Sequence, residues 1–134
     1  YTYSRRTAGY PLFLTFDAPM RDFCTARRIP SNTPLQALSV MNDPAFIEMA
    51  RSLSARMEKD GGSTRQKIER GCRLLTLDKP PRAMVESLAK LYDGALADYR
   101  ADKNAAAKLA ATPEQAALVL VANTLLNLDS SLTR

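Results

Sequence analysis

The chain has 134 residues, a formal net charge of +5 and a hydrophobic fraction of 46%, which is typical of one compact domain and excludes disordered or collagen-like polypeptides. It contains no histidine, which excludes triads with an imidazole base, histidine-ligated zinc and haem attached through C-x-x-C-H. No apolar run approaches the roughly 18 residues of a transmembrane helix. We therefore expect a single domain without cofactor, metal or membrane span.

The first quarter of the chain, residues 1–33, contains three prolines and no sustained helical or alternating pattern of apolar residues. This predicts an extended, irregular N-terminal arm. The arm carries five arginines and two aspartates, and the arginine side chain is suited to bidentate binding of carboxylate, sulfate or phosphate. Two interpretations stay open: the arginines bind an anionic partner, or they bond loop carbonyls and the aspartates of the arm.

Four helix starts in the remaining chain share one signature, a capping side chain followed by a proline or by the glutamine of a capping box. Proline suits the first helical position because that position needs no intrahelical N–H bond. A fifth start follows a pair of prolines, and after every start apolar residues recur at three- and four-residue spacing. The predicted helices cover residues 34–41, 44–60, 63–76, 81–102 and 112–126.

The segment 103–111 is rich in alanine and lysine and fits either a short helix or a loose connector. The last predicted helix is apolar on all sides, so we expect it at the centre of the domain. No alternation of β-branched or aromatic residues is long enough for a sheet. The predicted fold class is all-α, with about five helices in an irregular bundle over residues 34–134 that follows the arm of residues 1–33 in one domain.

The two cysteines, Cys24 and Cys72, are 48 positions apart and form no C-x-x-C motif. Neither a zinc knuckle nor a redox dithiol is therefore predicted. A disulfide between them would require an oxidising compartment. Two buried free thiols are the alternative that we favour, because unpaired cysteine commonly packs as a small apolar residue.

A polar cluster is predicted where the arm meets the first predicted helix, and it combines arginines with hydrogen-bonding side chains beside a helix N-terminus, as anion sites do. The interpretation that we favour is helix capping by Asn32 and Thr33 and a turn or salt bridge at Asp17. Phosphate loops, H-E-x-x-H, G-x-S-x-G and calcium loops are absent from the sequence. The candidate ligand-binding residues are Asp17, Arg21, Arg27, Arg28, Asn32, Thr33 and Gln36.

Five short motifs are distributed over the arm, the first two predicted helices and the C-terminus. They are Leu14-Thr15-Phe16-Asp17-Ala18-Pro19-x-Arg21, Cys24-Thr25-x-Arg27-Arg28, Asn32-Thr33-Pro34-Leu35-Gln36-Ala37-Leu38, Asn42-Asp43-Pro44-x-Phe46 and Asn127-Leu128-Asp129-x-x-Leu132-Thr133-Arg134. Together they resemble the C-terminal part of the Planctomycete-type PSD domain family, a domain of unknown function. Cys72 and the pair Ser130-Ser131 depart from the family pattern, so we give these positions no functional weight.

The resemblance implies a cellular setting for the chain. The family occurs beside Planctomycete-type cytochrome c and PSCyt domains, in large proteins with export signals that are found near sulfatases. It therefore implies an extracytoplasmic location, periplasmic or secreted, with neighbouring domains and anionic polysaccharides as partners. Because the chain begins at Tyr1 without an initiator methionine, we expect it to be a fragment of a larger protein. Any haem chemistry would belong to a separate domain.

Two functions are compatible with these observations. The first is a non-catalytic interaction or scaffolding module that binds anionic polysaccharide through the arginine-rich arm. The alternative is a part of a polysaccharide-processing enzyme whose other active-site residues lie in a missing N-terminal region, with a shared cleft lined by Asp17, Arg27, Arg28, Asn32 and Gln36. Nucleic-acid binding agrees with the charge alone, since no RNA- or DNA-binding motif is present, and we rank it last.

Overall fold

The computed structural model describes residues 9–19, 26, 31 and 33–132 of the chain. Within these residues it contains eight α-helices and no β-strand. The helices are α1 (Pro11–Thr15), α2 (Pro34–Asn42), α3 (Pro44–Glu58), α4 (Thr64–Thr76), α5 (Arg82–Ala101), α6 (Lys103–Leu109), α7 (Pro113–Leu126) and α8 (Asp129–Leu132). The predicted all-α class is confirmed, whereas the expected number of about five helices is too low.

The additional helices are short ones. The arm is not wholly irregular, because α1 begins at Pro11 and lasts five residues, too few for an apolar period to be recognisable. The same reason accounts for α8, which has four residues. Of the two alternatives for residues 103–111, the structure shows the short helix, α6. Asp102 caps its start, because the carboxylate accepts from the N–H groups of Asn104 and Ala105, both at 3.0 Å.

The predicted caps of the long helices are confirmed. Ser63 and Gln66 form a capping box in which each side chain accepts from the other residue's backbone N–H. The Asp43 carboxylate accepts from the N–H of Ala45, the second residue of α3, at 2.8 Å. Thr112 Oγ1 accepts from the N–H of Gln115 at 3.2 Å. Three of the main helices therefore begin where short-range hydrogen bonds satisfy their free N–H groups.

Helix α7 lies at the centre of the bundle, as its apolar composition predicts. It packs most extensively between α3 and α5 and also contacts α2, α4, α6 and α8. The largest fully buried side chains around it include Met57 of α3, Ile68 of α4 and its own Val121 and Leu125. In the described part of the chain no single helix is long and apolar enough to cross a bilayer; α6 and α7 reach that criterion only together, and they are bent by 58°.

Two arginines of the bundle have structural roles at helix C-termini. Arg51 on α3 donates through Nε to the carbonyl oxygen of Leu109 at 2.8 Å and through a terminal nitrogen to that of Lys108 at 2.6 Å. Arg70 on α4 donates to the carbonyl oxygen of Met57 near the end of α3. Both guanidinium groups thus satisfy carbonyls that a helix end leaves without a partner.

Removal of the Thr112 hydroxyl should weaken the start of α7. We expect Thr112→Ala to lower the free energy of unfolding by about 0.5–2 kcal/mol, because the N–H of Gln115 loses its acceptor. Urea denaturation measures this change. Ser87→Ala is the control, since the exposed Ser87 hydroxyl bonds a carbonyl within its own helix and its loss should cost less than about 0.5 kcal/mol. Equal midpoints for the two variants would contradict the capping role.

Candidate functional site

The candidate site is centred on Gln36, which lies in the first turn of α2 and is only 2% exposed. Its amide nitrogen lies 2.7 Å from the carbonyl oxygen of Thr15, 3.3 Å from Asp17 Oδ2 and 3.1 Å from Ser31 Oγ. An amide has two N–H donors, so these three acceptors share them. The amide oxygen accepts from the N–H of Thr33 at 2.9 Å. One buried side chain thus binds the end of α1, Ser31 and the start of α2.

Asp17 closes the other side of this cluster. Its Oδ2 accepts from the backbone N–H of Ser31 at 2.7 Å and from the Ser31 hydroxyl at 2.6 Å. Asp17 itself has a φ of 54°, in the left-handed region that aspartate tolerates better than most residues. These charge-assisted bonds hold together two positions that are fourteen residues apart in the chain. We call Asp17, Ser31, Thr33 and Gln36 the clamp.

Thr33 completes the clamp as the N-cap of α2. Its hydroxyl oxygen accepts from the N–H of Gln36 at 3.3 Å, and with the reciprocal bond to the glutamine side chain this makes a capping box. The capping interpretation of Thr33 is therefore confirmed. The same glutamine serves the cap through its amide oxygen and the contacts to the arm through its amide nitrogen.

The structure brings together Asp17, Thr33 and Gln36 of the predicted site residues. The remaining candidates, Arg21, Arg27, Arg28 and Asn32, lie outside the described residues, and their role stays a prediction. Sequence reasoning missed Ser31 and the carbonyl of Thr15. Ser31 belongs to none of the motifs, and Thr15 contributes only its backbone carbonyl, which any residue carries. Both contact Gln36 or Asp17 only through folding of the arm onto α2.

The bonds of the clamp hold backbone groups of the arm and of α2. Asp17 Oδ2 is surrounded by donors, and the amide of Gln36 has no titratable proton. No group of three histidine, cysteine, aspartate or glutamate side chains in the described ranges could hold a metal ion. Gln36 thus links both Asp17 and Ser31 to α2.

Four titratable groups of the bundle have shifted pKa values. Burial raises the pKa of the Cys72 thiol and those of the Tyr92 and Tyr99 hydroxyls. A hydrogen bond of 2.9 Å from Arg100 lowers the pKa of Glu114, which is exposed. Cys72 is a buried free thiol, and Cys24 lies outside the described residues. The three raised pKa values reflect burial of the side chains, and the lowered pKa of Glu114 reflects its ion pair between α5 and α7.

A second surface feature adjoins the clamp. Two short helices, α1 and α2, leave large apolar side chains about half exposed: Phe13, Leu14, Leu35, Leu38 and Met41. Phe16, which directly follows α1, contacts Phe46 of α3 with a ring-centroid distance of 5.9 Å, and Phe13 packs edge-on against Tyr10. The described residues at the clamp end of the domain therefore include a group of exposed apolar side chains of the kind that marks interaction surfaces.

Comparison with known proteins gives one match. A model of the PSD1 family, described as proteins of unknown function (DUF1553), matches residues 1–92. The matched range contains the arm, the clamp, α1–α4 and about half of α5, and it includes four of the five motifs noted in the sequence. The motif that begins at Asn127 follows the matched range. No curated protein and no solved structure shows a significant match.

Proposed function

The chain belongs to the PSD1 family of proteins of unknown function, and we propose that it is a non-catalytic interaction module that binds an anionic polysaccharide through its arm. In this proposal the module is part of an exported multidomain protein. The observation that carries the proposal is the clamp, which attaches both ends of the segment 18–30 to α2. This segment contains three arginines and a single aspartate.

The clamp supports binding by reducing the entropy that binding would otherwise cost. A segment whose ends are held together by Asp17 and Ser31 has fewer conformations than an open one, so less freedom is lost when a ligand orders it. The buried Gln36 makes the attachment of both ends a part of the fold, because breaking its hydrogen bonds leaves polar groups without partners.

The charge of the segment selects the class of ligand. Arg21, Arg27 and Arg28 are permanently charged, and the guanidinium fork matches the spacing of two oxygens in a sulfate or carboxylate group. Polysaccharides that carry such groups present them at regular intervals. The ligand class that fits is therefore a sulfated or uronic-acid polysaccharide, bound by charge-assisted hydrogen bonds and weakened by salt.

The exposed apolar face supports the scaffolding part of the proposal. Leu35, Leu38 and Met41 lie at three-residue spacing along α2, the same helix whose first turn holds the clamp. In a longer exported protein, a neighbouring domain that covers this face would also orient the arm. We therefore propose neighbouring domains as the second class of partner.

Replacement of Arg27 and Arg28 by glutamine tests the ligand role of the arm. We expect the double variant to lose binding to dextran sulfate at low salt, measured by isothermal titration calorimetry, with the melting temperature almost unchanged. Added salt should weaken binding by the parent chain, because screening acts on exposed charges. Uncharged dextran should not bind.

The matched control is the double variant Arg65→Gln/Arg82→Gln, which removes the same charge from two exposed positions on other helices. It should keep most of the affinity. Equal loss in both double variants would mean that only overall charge matters, and a parent that does not bind at low salt would overturn the proposal. If the arm arginines bond buried groups instead, their replacement should lower stability by about 1–3 kcal/mol per group.

A further inference from the structure

A cavity of about 220 Å³ opens among α4, the connection to α5 and the C-terminal part of the bundle. Its apolar lining comes from Leu75, Met84, Leu125 and Leu128, together with the buried Cys72. An apolar cavity of about 150 Å³ is enough to hold benzene. The cavity therefore has room for one six-membered ring with a short substituent.

Two hydroxyl groups of the cavity wall have their hydrogens committed to backbone carbonyls. Thr76 Oγ1 donates to the carbonyl oxygen of Cys72 at 3.0 Å, and Ser131 Oγ donates to that of Leu125 at 2.9 Å. A hydroxyl oxygen that donates its one hydrogen can still accept. These two hydroxyl oxygens thus favour a ligand that donates a hydrogen bond.

The charges around the cavity favour a neutral ligand. Asp78 and Lys79 are adjacent at its edge and opposite in sign, so the rim has no net preference for an ion. The Cys72 thiol is neutral at pH 7 because burial raises its pKa. Placing a charged group against Leu125 and Met84 would cost desolvation without a paired partner.

We propose that this cavity binds a neutral aromatic molecule of one ring with a single hydroxyl donor, for which phenol is the simplest probe. The ring lies against Leu75, Met84 and Leu125, and its hydroxyl donates to Thr76 Oγ1. The site is independent of the clamp, which is built from α1, α2 and the arm.

Titration of the chain with phenol and toluene, followed by NMR shifts of residues around the cavity, tests the proposal. Phenol should bind saturably and about fivefold more tightly than toluene, the ratio expected for one net hydrogen bond. Thr76→Val keeps the shape of the side chain and removes the acceptor. It should reduce phenol affinity to that of toluene while toluene binding stays unchanged.

Ser131→Phe places a ring at the cavity wall and should abolish binding of both probes. Its control is Ser87→Phe on the exposed face of α5, since the Ser87 hydroxyl also donates to a backbone carbonyl at 2.9 Å. That variant should bind both probes normally. Failure of either probe to saturate in the parent, or phenol binding that survives Ser131→Phe, would refute the site. If Ser131→Phe does not fold, the response of the two probes to Thr76→Val decides.

Discussion

Replacement of Gly71 by valine should destabilise the domain by about 2–3 kcal/mol. Gly71 lies where α4 crosses α3 and α7, and a Cβ atom at this position would lie 2.8 Å from Met57 Sδ and 2.9 Å from Leu125 Cδ1. Both contacting side chains are fully buried, so each must shift within the core to make room for the new atoms. Additional carbon atoms in a close-packed core force shifts of side chains and backbone. The denaturation midpoint in urea measures the loss.

Gly94 provides a matched control, because it is also a helical glycine but a Cβ there meets nothing within 4 Å. Gly94→Val should change stability by less than about 0.5 kcal/mol, since valine and glycine differ little in helix propensity. A test of the contact itself combines Gly71→Val with Leu125→Ala. The double variant should lose less stability than the sum of the losses in the two single variants, because the valine then fills part of the space left by Leu125. Equal losses at Gly71 and Gly94 would argue against a tight crossing.

Gln36→Ala should cost about 2–3 kcal/mol and should also weaken binding of dextran sulfate, although it removes no charge. The alanine leaves the Thr15 carbonyl without its donor and the Thr33 N–H without its acceptor, both in a partly buried setting. Asp17 and Ser31 keep their mutual bonds but lose the link to α2. Urea denaturation gives the stability change, and calorimetric titration of the folded variant gives the affinity.

The variant Gln66→Ala serves as the control that separates the two functions of Gln36, which are capping of α2 and attachment of the arm. Gln66 occupies the same position in the capping box of α4, with its amide oxygen 2.9 Å from the Ser63 N–H, but it is exposed and water can replace its bonds. We expect a loss of at most about 1 kcal/mol. A similar loss for Gln36→Ala would show that Gln36 serves only as a cap. Unaltered polysaccharide binding by folded Gln36→Ala protein would show that closure of the arm is not needed for the ligand.

Local sequence determined where the main helices begin. The cap residues Thr33, Asp43, Ser63 and Thr112 act on N–H groups two or three positions further along the chain, so their partners are contained in the same short stretch of sequence. The central place of α7 followed from composition, because a helix that is apolar on all sides must be covered on all sides. The short helices α1 and α8 were not predicted, since each contains little more than one turn.

Sequence reasoning also selected Asp17, Thr33 and Gln36 as members of one cluster, but only the tertiary structure decided what they do together. The bonds of Gln36 to Thr15 and Asp17 span about twenty residues, and no local pattern encodes contacts of that range. The close crossing at Gly71 and the cavity beside Cys72 have the same origin. The crossing depends on how α3, α4 and α7 meet, and the cavity on how α4, α5, α7 and α8 meet. Side-chain packing between distant segments, unlike capping, is determined only when the whole chain has folded.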